Sequence, residues 1–183
     1  MLELPPDRAN QWTAVPAPVL QPGALLDDWF EIGELLGEGG TSLVYAGKER
    51  PLHRHAAIKI LKGKDDDMRR RFIDEARILA NLRHPHLVQV RALGETDSGA
   101  PYMVLELLPG ESLEDRLRER GPLAWREVVE IAVQVASALG ALHQASVIHR
   151  DVKPGNLVCL EGATGRPLVK LIDLGIAKVE SWA

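Results

Sequence analysis

The 183-residue sequence has a single cysteine and no large excess of either charge. Its only thiol is Cys159, which excludes an internal disulfide framework and is typical of a reducing compartment. We expect Cys159 to be a small core residue rather than a reactive thiol. The 22 basic and 26 acidic residues are well mixed and give a net charge of −4, so neither a nucleic-acid-binding surface nor a polybasic membrane patch is indicated.

A targeting signal and a membrane-spanning run are also missing. The first ten residues, MLELPPDRAN, have neither a cationic start nor an apolar stretch, which excludes a signal peptide. The most apolar long window, IAVQVASALGALH, is interrupted by Gln134 and Ser137 and is too short to span a bilayer. These absences predict a cytoplasmic protein with no membrane segment in this chain.

The pattern of apolar residues predicts an α+β fold in two lobes after a leader. Residues 1–27 contain five prolines and show no period, so we interpret them as an extended leader, either a linker or a docking strap. Residues 28–108 show five strand-like runs with one helix after the third, which predicts a small antiparallel lobe. Residues 109–183 predict a short helix capped by Ser112, a long helix starting near Trp125 and two short strands.

A glycine-rich turn, GEGGTSLV, spans Gly37–Val44 between two predicted strands. Glycines there let the backbone approach a ligand closely and present N–H groups to phosphate. A glycine-rich hairpin can equally be only a turn. The strand on each side excludes a dinucleotide fingerprint and a P-loop, both of which need a helix after the glycines.

Lys59 and Glu75 are two charged residues placed next to apolar ones. Lys59 lies in AAIKI and is either a charge that protects an edge strand or a cation held for an anionic ligand. Glu75 borders the stripe of Phe72 and Ala76 on the predicted helix. Its partner is either Arg71, four residues earlier, or Lys59.

The segment VIHRDVKPGN is far more specific, because it concentrates chemistry-bearing residues in one loop. Asp151 could accept a proton from a hydroxyl, Lys153 could neutralise a transferring phosphoryl group, and the Asn156 amide oxygen could bind Mg²⁺. Asp173 ends the last predicted strand and offers a second hard oxygen ligand. Two such ligands suit Mg²⁺ held together with the phosphates of a nucleotide.

Taken together, these motifs resemble the eukaryotic-like Ser/Thr protein kinases of bacteria. A glycine loop, AAIK, a helix Glu, HRDVKPGN and DLG follow one another in the order of the kinase motif set. The resemblance extends from about Trp29 to Lys178. It implies a bilobal kinase fold with a five-stranded small lobe and the beginning of a mainly helical large lobe.

The resemblance implies ATP, Mg²⁺ and a protein hydroxyl as reactants. Lys59 would bind the α- and β-phosphates and pair with Glu75, while Asp151 would orient or deprotonate a Ser or Thr hydroxyl and Lys153 would contact the γ-phosphate. The backbone of Gly37, Gly39 and Gly40 would cover the phosphates. Asn156 and Asp173 would hold Mg²⁺. The implied adenine site comprises Leu36, Val44, Ala57, Glu106, Leu108 and Val158, with Leu105 as the gatekeeper.

Three departures from the family pattern accompany the match. Ser42 replaces the last glycine of the loop, and Leu174 replaces the Phe of DFG. The A-P-E motif and the helices after it are missing, so we expect a truncated domain whose long helix exposes an apolar face. A non-catalytic ATP-binding or interaction module therefore remains an alternative to a protein kinase. A small-molecule phosphotransferase is a third reading, against which Arg150 and KPGN count.

Overall fold

The computed structural model describes residues 20–63, 65–162 and 167–174, and the chain divides into two compact units. One unit comprises Met1–Ala80 and Gln89–Leu107, and the other comprises Asn81–Val88 and Leu108–Ala183. Most of the predicted leader, most of the turn before the last strand and the segment after Leu174 lie outside the described residues. No helix in the described ranges is both long enough and apolar enough to cross a membrane.

In its described residues, the first unit is a six-stranded antiparallel sheet with one helix. Its elements are β1 (Leu25–Leu26), β2 (Phe30–Glu38), β3 (Ser42–Glu49), β4 (Arg54–Leu61), α1 (Asp66–Asn81), β5 (Val90–Glu95) and β6 (Pro101–Glu106). The strand order is β1-β2-β3-β4-β6-β5. Five strands were predicted, and the sixth is β1, a two-residue strand at the end of the predicted leader that pairs with β2.

The register between β3 and β4 separates two faces of this sheet. Val44 lies opposite Lys59 and Ala46 opposite Ala57, and directly opposed residues project to the same face. Residues that alternate with these project to the other face. That second face carries a hydrophobic core of Leu26, Phe30, Ile32, Leu43, Tyr45, Ala56, Ile58, Ile60, Ala100, Tyr102 and Val104. One face of the sheet thus carries this apolar core, and the opposite face carries Lys59.

The chain before β2 is joined to this core through Tyr102. The buried Tyr102 hydroxyl donates a hydrogen bond to the carboxylate of Asp27, and Leu26 is itself buried in the core. Gly94 lies directly beside this contact, since a β-carbon there would be 2.5 Å from the Tyr102 hydroxyl oxygen. A glycine is therefore required at position 94 for Asp27 and Tyr102 to meet.

We expect Tyr102→Phe to lower the free energy of unfolding by about 1 kcal/mol at pH 8, because a hydrogen bond to a carboxylate is lost. Burial, and then Asp27, raise the pKa of Tyr102 well above its usual value. The phenol therefore ionises in the unfolded chain above about pH 10 while it stays protonated in the folded protein. Wild-type stability should fall by roughly 1.4 kcal/mol per pH unit above that point relative to the variant. Urea unfolding of both proteins from pH 8 to 11 should show that their free energies of unfolding converge as the pH rises. A difference between the two free energies that stays constant with pH would contradict this.

The described part of the second unit contains two helices and a three-stranded antiparallel sheet. Its elements are β7 (Gly110–Ser112), α2 (Leu113–Arg120), α3 (Trp125–Gln144), β8 (Leu157–Glu161) and β9 (Pro167–Leu171), with a 3-10 turn at Pro154–Asn156. The predicted cap of α2 is present, because the Asp115 backbone N–H donates to Ser112 Oγ at 3.0 Å. Strand β7 was not predicted. It needs glycine at position 110, where a β-carbon would lie 2.2 Å from the Cys159 carbonyl oxygen.

The long helix α3 is only partly covered within the described residues. It buries Ile131, Ala138 and Leu142, as expected for its apolar stripe, but Trp125 and Val133 are 68% and 64% exposed. An open apolar groove of about 590 Å³ runs along the helix. This surface agrees with the expectation that α3 presents an apolar face.

Candidate functional site

A buried ion pair forms the centre of the first unit's candidate site. The ammonium Nζ of Lys59 lies 3.3 Å from Oε1 of Glu75, and the two residues are only 7% and 6% exposed. Phe72, Ala76 and Leu79 bury the inner side of α1, as their spacing predicted, and this packing directs Glu75 toward the sheet. The Lys59 ammonium also lies 5.9 Å from the centroid of the Phe72 ring.

The position of Lys59 in the sheet excludes the edge-strand interpretation. Strand β4 lies between β3 and β6, and Lys59 has Val44 on one side and Met103 on the other. A lysine in a central strand must give up hydration, which costs several kcal/mol unless an opposite charge is close. Glu75 supplies that charge. The pair holds a cation at a fixed point on the face of the sheet opposite the core of Ile58 and Ile60.

The glycine-rich turn has space that intramolecular packing does not use. A β-carbon at Gly37 or Gly40 would meet no atom within 4 Å, and neither residue has a positive φ. Neither backbone strain nor crowding among the described residues therefore requires glycine at these positions. Close approach of a ligand is a remaining reason. The turn is closed by a hydrogen bond from Gly39 N to Ser42 O at 2.9 Å, so Ser42 retains a defined place in the loop.

The other residues implied in adenine binding are distributed over both units. Ala57 lies on the Lys59 face and opposite Leu105, which is 9% exposed. Glu106 ends β6, where its backbone N–H donates to the Gln89 carbonyl at 3.0 Å. Leu36 is exposed on β2, and Val44 is half-buried on β3. Leu108 follows β6, and Val158 lies on β8.

The second unit's candidate site is the loop after α3. The Asp151 carboxylate forms an ion pair with Lys153 Nζ at 3.0 Å. It also accepts a hydrogen bond from the Asn156 amide Nδ2 at 3.1 Å. The same Nδ2 donates to the Asp151 carbonyl at 2.8 Å. Because Nδ2 points at Asp151, the Oδ1 of Asn156 is the side-chain atom left for another ligand. Asp151 is thus held by a cation and an amide in a fixed orientation.

Asp173 is placed beside this loop by backbone contacts. The Ile172 N–H donates to the Asn156 carbonyl at 2.9 Å, which brings the residue after it next to Asn156. Strand β9 is fixed in turn by Gln134, whose side chain bonds the Pro167 carbonyl and the Val169 N–H, both at 2.8 Å. Gln134 was missed as a positioning residue in the sequence. A lone amide in an apolar helix was the signal that could have identified it.

Two residues of this site have a left-handed backbone. Arg150 has φ 64° and Asp173 has φ 53°, a region that non-glycine residues rarely occupy and that costs of order 1–3 kcal/mol each. Such strain persists only where the surroundings hold it, and it clusters at functional sites. Leu174, which follows Asp173, is 4% exposed and so anchors the chain at this point.

His149 is a buried histidine that supports the loop from inside. It is 1% exposed, and its Nδ1 accepts the Asp151 backbone N–H at 3.3 Å. Burial lowers the pKa of His149 below its usual value, and the Ile172 backbone and the carboxylates of Asp151 and Asp173 oppose that shift. Its Nε2 has no hydrogen-bond partner of good geometry among the described residues. The neutral ring therefore acts as a scaffold under Asp151.

These side chains are suited to binding phosphate groups and to accepting a hydrogen bond or proton from a hydroxyl. Lys59 and Lys153 are cations for phosphate oxygens, Asp151 is an oriented carboxylate, and Asn156 and Asp173 supply hard oxygen atoms. Across residues 20–63, 65–162 and 167–174, no group of three or more His, Cys, Asp or Glu residues is placed to hold a metal ion. A cation bound by Asn156 and Asp173 would therefore need further oxygen ligands, such as phosphate or water.

Comparison with known proteins gives consistent matches. The family model for the protein kinase domain matches residues 30–181. A probable serine/threonine-protein kinase of Clostridium perfringens is 39% identical over 159 residues, which are 85% of this chain and 22% of that protein. The serine/threonine-protein kinase PknK of Mycobacterium tuberculosis is 39% identical over 160 residues, covering 86% of this chain and 14% of that protein. The chain thus spans a quarter or less of these curated relatives.

Solved structures agree with the fold. The kinase domain of Mycobacterium tuberculosis PknI superposes with a TM-score of 0.75 at 30% identity, covering 90% of this chain and 66% of that one. A structure of Rad53 in complex with AMP-PNP gives a TM-score of 0.68 at 30% identity, over 79% of this chain and 38% of that one. With the family model matching most of its length and its motifs in order, the chain belongs to the protein kinase domain family.

Proposed function

We propose that this chain is the catalytic part of a protein serine/threonine kinase, which transfers the γ-phosphoryl group of Mg·ATP to a Ser or Thr hydroxyl of a protein. The observation that carries the proposal is the Asp151 carboxylate held by Lys153 and Asn156. A module that only binds ATP has no need of an oriented carboxylate. The relatives named as serine/threonine kinases support the same reaction. The single buried cysteine is in keeping with a reducing compartment, so we place the reaction in the cytoplasm.

In this proposal Asp151 acts on the nucleophile. Its carboxylate accepts the hydrogen bond of the substrate hydroxyl and takes the proton as the oxygen attacks the γ-phosphorus, while the bond from that phosphorus to the bridging oxygen breaks and ADP leaves. Lys153, 3.0 Å from that carboxylate, neutralises the charge of the transferring phosphoryl group. The Asn156 amide keeps Asp151 in one rotamer, so orientation is established before the substrate arrives.

The first unit would bind the rest of ATP. Lys59, fixed by Glu75, binds the α- and β-phosphates, and the glycines of the loop cover the phosphates with backbone N–H groups. Val44 and Ala57 contact the adenine on the same face as Lys59. The backbone of Glu106 and Leu108 would recognise its edge, with Leu36 and Val158 as further apolar contacts.

The oxygen donors of the second unit fit Mg²⁺. Asn156 Oδ1 and the Asp173 carboxylate would hold the ion, since Asn156 already commits its Nδ2 to Asp151 and Mg²⁺ prefers hard oxygen ligands. Bound there, Mg²⁺ would neutralise phosphate charge. The left-handed backbone of Asp173 gives its carboxylate a direction that ordinary strand geometry does not provide.

The proposal is tested by phosphoryl transfer from γ-labelled ATP to a serine-containing peptide. We expect label on the peptide in the presence of Mg²⁺, none on a matched peptide with alanine in place of serine, and none after chelation of Mg²⁺. Nucleotide binding measured in parallel separates the alternatives. Binding without transfer under all conditions would support the non-catalytic module instead.

A further inference from the structure

We propose that Arg69 is a positioning residue for the ion pair of Lys59 and Glu75, because it ties the start of α1 to the turn between β5 and β6. The inference rests on the proposed kinase function and adds a residue that controls where the phosphate-binding cation is held. The Arg69 guanidinium pairs with the Glu95 carboxylate and donates from Nη1 to the Gly99 carbonyl at 2.9 Å. The Arg69 and Glu95 side chains are each only 16% exposed.

Helix α1 is packed unevenly along its length. Its buried residues begin at Phe72, and the helix residues before it are exposed or only partly buried. Arg69 precedes Phe72 and Ile73 by three and four residues, which places it next to them on the inner side of the helix. Apolar burial therefore fixes the later part of α1, whereas the contacts of Arg69 hold its start.

The turn that Arg69 contacts is itself held by hydrogen bonds. The Thr96 backbone N–H donates to the Ala100 carbonyl at 2.9 Å, and the Gly99 N–H donates to the Thr96 carbonyl at 2.7 Å. The Thr96 hydroxyl oxygen also accepts the Ala100 N–H at 3.0 Å. The Gly99 carbonyl is thus an acceptor in a fixed place. Arg69 can bond this carbonyl and the Glu95 carboxylate at once, because a guanidinium presents several donors in one plane.

The ion pair has little tolerance for movement of α1. Lys59 Nζ and Glu75 Oε1 are 3.3 Å apart, close to the distance at which a hydrogen bond is lost. Arg69 precedes Glu75 by six residues, which is about 9 Å along the helix axis. Because a helix is stiff over this length, release of its start would draw the Glu75 carboxylate away from the Lys59 ammonium.

A purely structural role for Arg69 would stabilise the first unit without affecting the ion pair, so the test measures Lys59 itself. The measurement is the rate of reductive methylation of the Lys59 amine in the folded protein, relative to that of the exposed Lys48, by mass spectrometry. In the wild type the buried, paired amine should react slowly. Arg69→Met should raise the relative rate about ten-fold, as expected when hydrogen bonds between charged groups are lost.

Two control variants separate positioning from stability. Arg70→Met removes an exposed pair with Asp67 at 2.6 Å on the same helix. Tyr102→Phe lowers the stability of the same unit from the opposite face of the sheet. Both should leave the relative methylation rate at the wild-type value. A wild-type rate in Arg69→Met, or an equal increase in Tyr102→Phe, would overturn the inference.

Phosphoryl transfer gives a second readout. Arg69→Met should reduce kcat/KM for ATP by about 10- to 100-fold, the cost of a small misplacement in a site. Arg69→Lys, which keeps a cation for Glu95, should recover part of that loss. In a Glu75→Gln background Arg69→Met should have little further effect, because Arg69 acts through Glu75. Equal losses in both backgrounds would overturn the inference.

The two readouts distinguish failure of this inference from failure of the proposed function. Absence of transfer by the wild type under all conditions would count against the kinase function. The methylation rate of Lys59 then decides on Arg69 without turnover. Transfer by the wild type with an unchanged rate in Arg69→Met would overturn the role of Arg69 and leave the kinase function intact.

Discussion

Asp151→Asn should reduce the rate of phosphoryl transfer by about 10²–10⁴-fold, the range that a positioned general base contributes. Asparagine has nearly the same shape and can still meet Lys153 and Asn156, but it cannot accept the proton of the substrate hydroxyl. The affinity for Mg·ATP should change little, because Asp151 acts on the hydroxyl. Steady-state transfer from γ-labelled ATP, with nucleotide affinity measured in the same preparation, checks both parts.

Asp97→Asn provides the control for this substitution. Asp97 is an exposed acid in the connection between β5 and β6, so its replacement removes the same charge without touching the site. Its transfer rate should equal that of the wild type. Transfer by Asp151→Asn at more than about a tenth of the wild-type rate would show that Asp151 is not the base.

Glu75→Leu should lower the free energy of unfolding by about 3–5 kcal/mol, because it leaves the Lys59 ammonium buried without its partner. The loss would be a large part of the stability of an ordinary domain, which is about 5–15 kcal/mol. Denaturant unfolding measures it. Asp74→Ala, which removes an exposed pair with Arg77 at 3.8 Å, should cost less than about 1 kcal/mol in the same experiment.

The double variant Lys59→Met with Glu75→Leu separates stability from activity. Replacing both members of a buried ion pair by apolar residues of similar volume is often neutral or stabilising, so the double variant should recover most of the stability lost by Glu75→Leu. Its phosphoryl transfer should remain lost, because no cation is left for the α- and β-phosphates. A double variant as unstable as Glu75→Leu would show that the pair is required for folding itself.

Helices and strands of five or more residues were predictable from the sequence, and the strands of two and three residues were not. The start of helix α3 near Trp125 was located correctly because its apolar positions repeat over 20 residues, and α1 followed from the stripe of Phe72 and Ala76. Strands β1 and β7 have two and three residues, too few to show a period of two. Their pairing with β2 and β8 depends on long-range hydrogen bonds that composition does not record.

The residues of the candidate site were also only partly predictable from the sequence. Lys59, Asp151 and Asn156 could be proposed as site residues from the sequence, since the chemistry of a side chain follows from the residue type. Their support could not, because it depends on contacts between segments far apart in sequence. Gln134 meets β9 across 33 residues, and the left-handed backbone of Asp173 is imposed by its surroundings.

The pairing of β3 with β4 has a consequence for errors in folding. Lys59 is flanked in sequence by Ile58 and Ile60, both fully buried in the opposite face. A shift of the strand register by one residue would move every side chain to the other face of the sheet. The ammonium would then lie in the apolar core, and the isoleucines would lie where phosphate is expected. Misregistered chains would then be unstable as well as inactive, so quality control by stability alone would remove the molecules that lack a working site.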